Sequence, residues 1–289
     1  MMLMVLGVLP GLTGCLTHTR SIQRSRPPDV VLNATLDQLV RQVNAQYAAV
    51  NSLTATVDLD ASATNTMKGE EKDFPETRAY VLLRKPAMLR VLGLVPVLHT
   101  HAFDLVSDGQ TFTLLNSVQN KAITGSNTVA TPSKSALENF RPNMFLDSLL
   151  VKGIDPDEFV SLTTDTRVIE RNTKRKEVVE EPDYNLTLTR RKGDSHEMTA
   201  IRVIHISRTT LLPYQQDIYD GAGNIVTKTV YGPYKDFGGV KFPATVTISR
   251  EQEHYSVKLT IVKLLENQTL GDDQFELKIP DGTPVQRLP

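Results

Sequence analysis

Apolar positions along this chain follow two periods. Between residues 34 and 51 they recur at helical spacing, with Leu36, Leu39, Val40, Val43, Tyr47 and Val50 at i, i+3, i+4, i+7, i+11 and i+14. Thr35 and Gln38 make the capping-box pair that starts a helix, while Gln42, Asn44 and Gln46 mark its polar face. From residue 53 the period becomes two: Leu53, Ala55, Val57 and Leu59 alternate with Thr54, Thr56, Asp58 and Asp60, as in a strand with one wet face. The same reading predicts strands at 77–84, 88–94, 102–107, 110–116 and 118–124, with Asp108-Gly109 as a hairpin turn. Met144, Phe145, Leu149 and Leu150 return to helical spacing, which predicts one or two short helices between 134 and 162, broken by Gly153 and Pro156. Strands resume at 178–181, 185–192, 198–207, 215–219, 225–234, 241–250 and 255–266.

Short Gly-containing connections at Gly193-Asp194, Gly221-Ala222-Gly223-Asn224 and Gly238-Gly239 imply an antiparallel meander. So many strands do not lie flat in one open sheet. The pattern therefore predicts a mainly β (α+β) fold of about ten or eleven strands, bent into a barrel or half-barrel. The helix at 34–51 and the helical insertion are its natural covers on the concave face.

The first fifteen residues obey neither period. Met2, Leu3, Met4, Val5, Leu6, Val8 and Leu9 form an apolar run shorter than the roughly 20 residues that span a bilayer. It ends in Leu12-Thr13-Gly14-Cys15, which resembles the bacterial lipobox, although no Lys or Arg precedes Arg20. The expected organisation is a lipoprotein signal peptide at 1–14, a lipid-anchored, Pro-containing tether at 15–32 and one domain at 33–289. Cys15 is the single cysteine, so no disulfide framework or thiolate metal cluster can form. A net charge of −1 argues against a nucleic-acid surface.

Motifs that carry catalysis are missing. His99 and His101 flank Thr100 and share a strand face, but no third metal ligand accompanies them. There is no G-x-S-x-G elbow, no H-E-x-x-H and no phosphate-cradling glycine loop. No catalytic residue, metal or cofactor is expected. The basic run from Arg171 to Lys176, followed by Glu177, Glu180 and Glu181, reads as a solvated hairpin rim. Alternation fails after Leu92, where Gly93 and Pro96 argue against continued pairing. Leu94, Val95, Val97 and Leu98 then read either as a buried strand end or as a loop touching acyl chains or the membrane.

The lipobox, the N-terminal helix, Lys85-Pro86 followed by Leu89-Arg90, the Ser107-Asp108-Gly109-Gln110 hairpin, the helical insertion and the stretch from Asp273 to Gly282 occur in a telling order. Together with Leu212-Pro213-Tyr214 and Phe242-Pro243, they resemble the outer-membrane lipoprotein carrier and receptor family (LolA/LolB-like). The resemblance implies an incomplete antiparallel barrel, a half-barrel closed by helices around an apolar cavity that holds a client's acyl chains. The expected lining is Leu82, Leu89, Val91, Phe103, Leu105, Phe112 and Leu114, with Met144, Phe145 and Leu149 as a lid. Where the family's carrier uses an arginine to latch that lid, this chain has Lys85, which lacks the planar fork of Arg. The Cys15 anchor and the 94–98 loop match the membrane-bound receptor better than the soluble carrier. Leu16 after the cysteine implies the outer membrane, on its periplasmic side. Implied partners are acylated lipoproteins or other lipids, the membrane surface and a periplasmic carrier protein, with the chain monomeric. The competing reading is an envelope sensor or scaffold that uses this fold to bind a peptide or protein. An enzyme acting on envelope polymers would need a paired acid and base, which the sequence does not offer.

Overall fold

The structure, a computed structural model, describes residues 25–28, 30–65, 70–95, 100–127, 142–172 and 177–288. Cys15, the signal peptide, the start of the tether, Val97, Leu98 and His99 lie outside the described residues.

Helix α1 (Leu36–Ala49) begins as its sequence dictates. Thr35 Oγ1 accepts from the Gln38 N–H at 3.3 Å while Gln38 Oε1 accepts from the Thr35 N–H at 2.8 Å, so two of the orphan donors at the helix start are satisfied. Its far end is closed by a residue more than 200 positions away. The Asn267 side chain donates to Ala49 O at 2.9 Å and accepts from Asn51 N at 2.7 Å.

The strands are β1 (Ser25–Arg26), β2 (Ser52–Asn65), β3 (Glu70–Asp73), β4 (Thr77–Arg84), β5 (Met88–Leu94), β6 (His101–Ser107), β7 (Thr111–Asn116) and β8 (Lys121–Ser126). Helix α2 (Asn143–Leu149) follows, then β9 (Phe159–Asn172), β10 (Glu177–Arg191), β11 (Met198–Ser207), β12 (Pro213–Tyr219) and β13 (Ile225–Tyr231). The chain closes with β14 (Tyr234–Asp236), β15 (Lys241–Pro243), β16 (Thr245–Arg250), β17 (Tyr255–Glu266) and β18 (Val285–Arg287). One sheet runs β1-β10-β11-β12-β13-β16-β17-β2-β4-β5-β6-β7-β8-β18, with β3 added to β2 and β9 to β10, while β14 and β15 form a separate hairpin. All pairings are antiparallel except β1 with β10 and β18 with β8. Among the described residues β9 and β18 do not pair with each other, so the sheet is open and not a closed barrel. Its two meanders join where β17 lies against β2, Tyr255 opposite Ala63 and Glu266 opposite Leu53.

That sheet is strongly curled. Asn143, at the start of α2, donates to Gly109 O in the β6–β7 turn at 3.1 Å, and Ser148 meets Thr229 of β13 at 2.7 Å. Between β13 and β6 lie six strand-to-strand steps, about 29 Å across a flat sheet at roughly 4.8 Å each. Five residues of helix advance only about 7.5 Å. One short helix touches both regions because the sheet wraps around it.

Three expectations change. The insertion holds a helix as expected, but 159–172 is a strand, β9. Most of β9 is exposed, so its apolar alternation is weak; what fixes it is thirteen residue pairs with β10. The predicted strands 178–181 and 185–192 are one continuous strand, β10, which carries Asp183 within the ladder. Glu181 is buried rather than solvated: Ser207 and Thr209 donate to it, and Arg167 pairs with it at 2.7 Å. Those contacts outweigh its burial and hold its carboxyl below the ordinary range.

Candidate functional site

The covered face of the sheet carries two apolar clusters and a polar stripe between them. The larger cluster spans β2, β4 to β8, β16 and β17, with α2 and the β14–β15 hairpin laid upon it. Leu89, Val91, Leu105, Phe112, Met144, Phe145 and Leu149 all belong to it and none is more than 4% exposed; Phe103 and Leu114 pack against it, partly buried. The six strand residues share one face because strand residues two apart point the same way, and the three from α2 are laid against that face. The smaller cluster joins Leu39 and Val43 of α1 to Tyr184, Leu186, Leu188, Ile204 and Ile206 of β10 and β11.

Leu82 is placed elsewhere. Ala79, Val81 and Leu83 take the inward positions of β4, which turns Leu82 to the other face, opposite Arg90. On that outer face the terminal segment is fastened: Arg84 donates to Leu270 O at 2.7 Å, and Arg90 donates to Gln274 O at 2.9 Å while pairing with Asp104 at 2.6 Å. The alternation of β4 was legible, but not which of its two faces is inward.

Between the apolar clusters some inward positions of β11, β12 and β13 are polar. Arg202, Gln216, Thr227 and Thr229 lie there, all at most 5% exposed. Register sets Gln216 opposite Thr229, while Arg202 and Thr227 flank Ile218 from its two sides. Arg250 of β16 extends it, donating to Thr227 Oγ1 at 2.8 Å and pairing with Glu253 at 2.6 Å. This stripe holds α2 and the chain just beyond it. Gln216 Nε2 donates to Asp147 O at 3.0 Å, and Arg202 donates to Lys152 O and Gly153 O, each at 2.6 Å. Ser148 and Thr229 hydroxyls meet at 2.7 Å, and Tyr255 O–H reaches Met144 Sδ at 3.2 Å.

Several polar atoms in the stripe lack a hydrogen-bond partner among the described residues: Arg202 Nε, Gln216 Oε1 and the Tyr231 hydroxyl, all buried. The Asp147 side chain keeps some surface, yet it is set deep among protein groups. Burial raises its carboxyl pKa above the ordinary range despite the cationic charges of Lys152, Arg202 and Arg250. Burial likewise lifts the Tyr231 phenol well above its usual value. The sequence signal for this stripe was polar residues at positions where alternation calls for apolar ones, as in Arg202-x-Ile204-x-Ile206 and Thr227-x-Thr229-x-Tyr231.

Lys85 fastens α1 and not α2. Its ammonium donates to Tyr47 O in the last turn and lies 3.5 Å from the Tyr47 ring centroid, a cation placed where the helix dipole favours one. Leu94 is a strand residue, paired with His101 and 8% exposed, while Val95 beyond it is half-buried and donates to Thr100 O at 2.7 Å. Pairing continues past Gly93 because Phe103 lies over the bare glycine: a Cβ there would come within 2.2 Å of the ring.

No family model matches the sequence, and no curated protein is similar to it in sequence. Among solved structures, a LolA superfamily protein from Nitrosomonas europaea is similar with a TM-score of 0.49 and 13% identity, over 85% of this chain and 99% of that one. A DUF1329 family protein from Desulfovibrio piger has a TM-score of 0.47 and 13% identity, over 82% of this chain and 94% of that one. A protein from Vibrio parahaemolyticus described as an outer membrane lipoprotein-sorting domain has a TM-score of 0.46 and 14% identity, again over 82% and 94%. The structural neighbours of this chain thus include proteins of the LolA superfamily, of the DUF1329 family and of lipoprotein sorting.

Proposed function

We propose that this protein binds acyl chains on the covered face of its sheet and takes part in lipid or lipoprotein transfer at the outer membrane, held there by a lipid on Cys15. The observation that supports this most is α2: a seven-residue helix that seals a large apolar face through a few polar tacks. The face is filled in this structure, so a ligand has to displace α2. Uncovering Met144, Phe145, Leu149 and Leu150 costs roughly 6–12 kcal/mol at about 1.5–3 kcal/mol per side chain. One sixteen-carbon chain, with about fifteen carbons to bury at about 0.8 kcal/mol each, recovers about 12 kcal/mol. A single chain offsets even the upper end of that cost, and a client with two or three drives the lid off.

On this reading the lining is Leu89, Val91, Phe103, Leu105, Phe112 and Leu114, with the α2 residues as lid. The apolar residues Leu94, Val95, Val97 and Leu98 meet the membrane, and Lys85 keeps α1 seated while α2 moves. The residues around 16–32 give an anchored body reach toward a periplasmic carrier. The test is direct: the full chain, purified and delipidated, should bind a fluorescent fatty acid, and mass spectrometry should find acyl lipid on the chain before delipidation. If both measurements are negative, acyl binding is refuted. The close packing of the face favours a second reading, an envelope scaffold that engages a peptide or protein with α2 in place, and that reading survives such a result.

A further inference from the structure

The stripe that tacks α2 down is more polar than a site for bare hydrocarbon requires. When α2 lifts, Gln216 Nε2 and both terminal nitrogens of Arg202 lose backbone carbonyl acceptors, those of Asp147, Lys152 and Gly153. These donors sit between two apolar clusters, where an unmet hydrogen bond is costly. Arg202 Nε and the Tyr231 hydroxyl are without acceptors among the described residues even with α2 in place, so the stripe offers more donors than the lid consumes. Arg202 Nη2 also donates to Glu158 Oε2 at 3.5 Å, a long ion pair with a carboxylate that Arg190 shares, so of its two terminal nitrogens it is Nη1 whose acceptor among the described residues is a backbone carbonyl alone. The lid is thus held by the group an ester-linked acyl chain carries at its polar end, a carbonyl oxygen.

Resting on the acyl-binding reading, we propose that Arg202 and Gln216 form a seat for the ester carbonyls of glyceride-type lipids, and that the 147–153 backbone occupies this seat when no lipid is bound. The two ester carbonyls of a diacyl lipid replace two of the three departing backbone carbonyls, with the chains running into the apolar clusters on either side. An ether-linked lipid with the same chains leaves the donors unmet, and a site built to hydrogen-bond rejects an analogue that lacks the partner.

The test is a competition. The full chain, immobilised, is equilibrated with detergent micelles holding dipalmitoylglycerol and dihexadecylglycerol at equal mole fraction, and mass spectrometry measures the retained ester-to-ether ratio. The expected ratio is about tenfold or more for the native chain, falling to near one in Gln216→Leu and in Arg202→Met with ether retention undiminished. Circular dichroism checks the fold of each variant, and Gln216→Leu, which removes no charge, carries the test if Arg202→Met does not fold. A native ratio near one overturns the carbonyl seat and leaves acyl binding standing. A high ratio unchanged in both variants places the selectivity elsewhere and overturns the assignment. Retention of neither lipid removes acyl binding itself.

Discussion

The buried contact between Ser148 and Thr229 allows a quantitative test of how α2 is held. Both residues are fully buried, and their hydroxyls meet at 2.7 Å. Thr229→Val keeps the shape of the side chain and removes its hydroxyl, leaving the Ser148 hydroxyl buried without its partner. The expected cost is about 1–3 kcal/mol, the desolvation penalty of an unmet polar group. Ser148→Ala leaves Thr229 in the same position and should cost a similar amount. The double variant leaves neither group stranded, so its total cost should fall short of the sum of the singles by about 1–2 kcal/mol. Urea unfolding followed by circular dichroism measures all four proteins, and a common m-value checks that the same surface is exposed in each. If the two substitutions add to within about 0.5 kcal/mol, the hydroxyls do not hold α2 and the polar tack is refuted.

Further expectations follow from other contacts. Gly93→Ala forces a methyl into the Phe103 ring and should cost about 1–3 kcal/mol, recovered in large part by Phe103→Ala in the same chain; a Tm unchanged by the single substitution refutes the contact. Lys85→Met removes the donor to Tyr47 O and should lower hydrogen-exchange protection at the end of α1 while leaving α2 unaffected, the reverse of what a lid latch would do. Asp147 is held above the usual carboxylate pKa, so its titration works against the folded state as pH rises. Below the ordinary value both states are protonated; between that value and the raised one only the unfolded state releases its proton, and stability falls. Asp147→Asn should therefore gain stability over the native chain as pH goes from 4 to 8, and a difference that does not vary with pH contradicts this. Leu94→Glu should destabilise the chain strongly and Val95→Glu weakly, as measured by thermal unfolding, because Leu94 is a buried strand residue.

Local rules carry much of this protein. Capping chemistry at Thr35 and Gln38 and the stripe through Leu39 and Val43 determine α1. Period-two alternation determines the strands and places Leu89, Val91, Leu105 and Phe112 together on one face. Both are legible in sequence because they depend on residues two to four positions apart. The outward face of Leu82, the length of β10 and the exposed strand β9 are not, since each depends on what packs or pairs against it. The joining of β2 to β17, which links the two meanders into one sheet, depends on a pairing about 200 residues apart. The polar stripe is the clearest case. Arg202, Gln216 and Thr229 are ordinary strand residues until β11, β12 and β13 align and curl beneath α2. Only that packing turns three separated polar side chains into one buried row, with Arg202 and Gln216 donating to carbonyls and Thr229 set against the Ser148 hydroxyl.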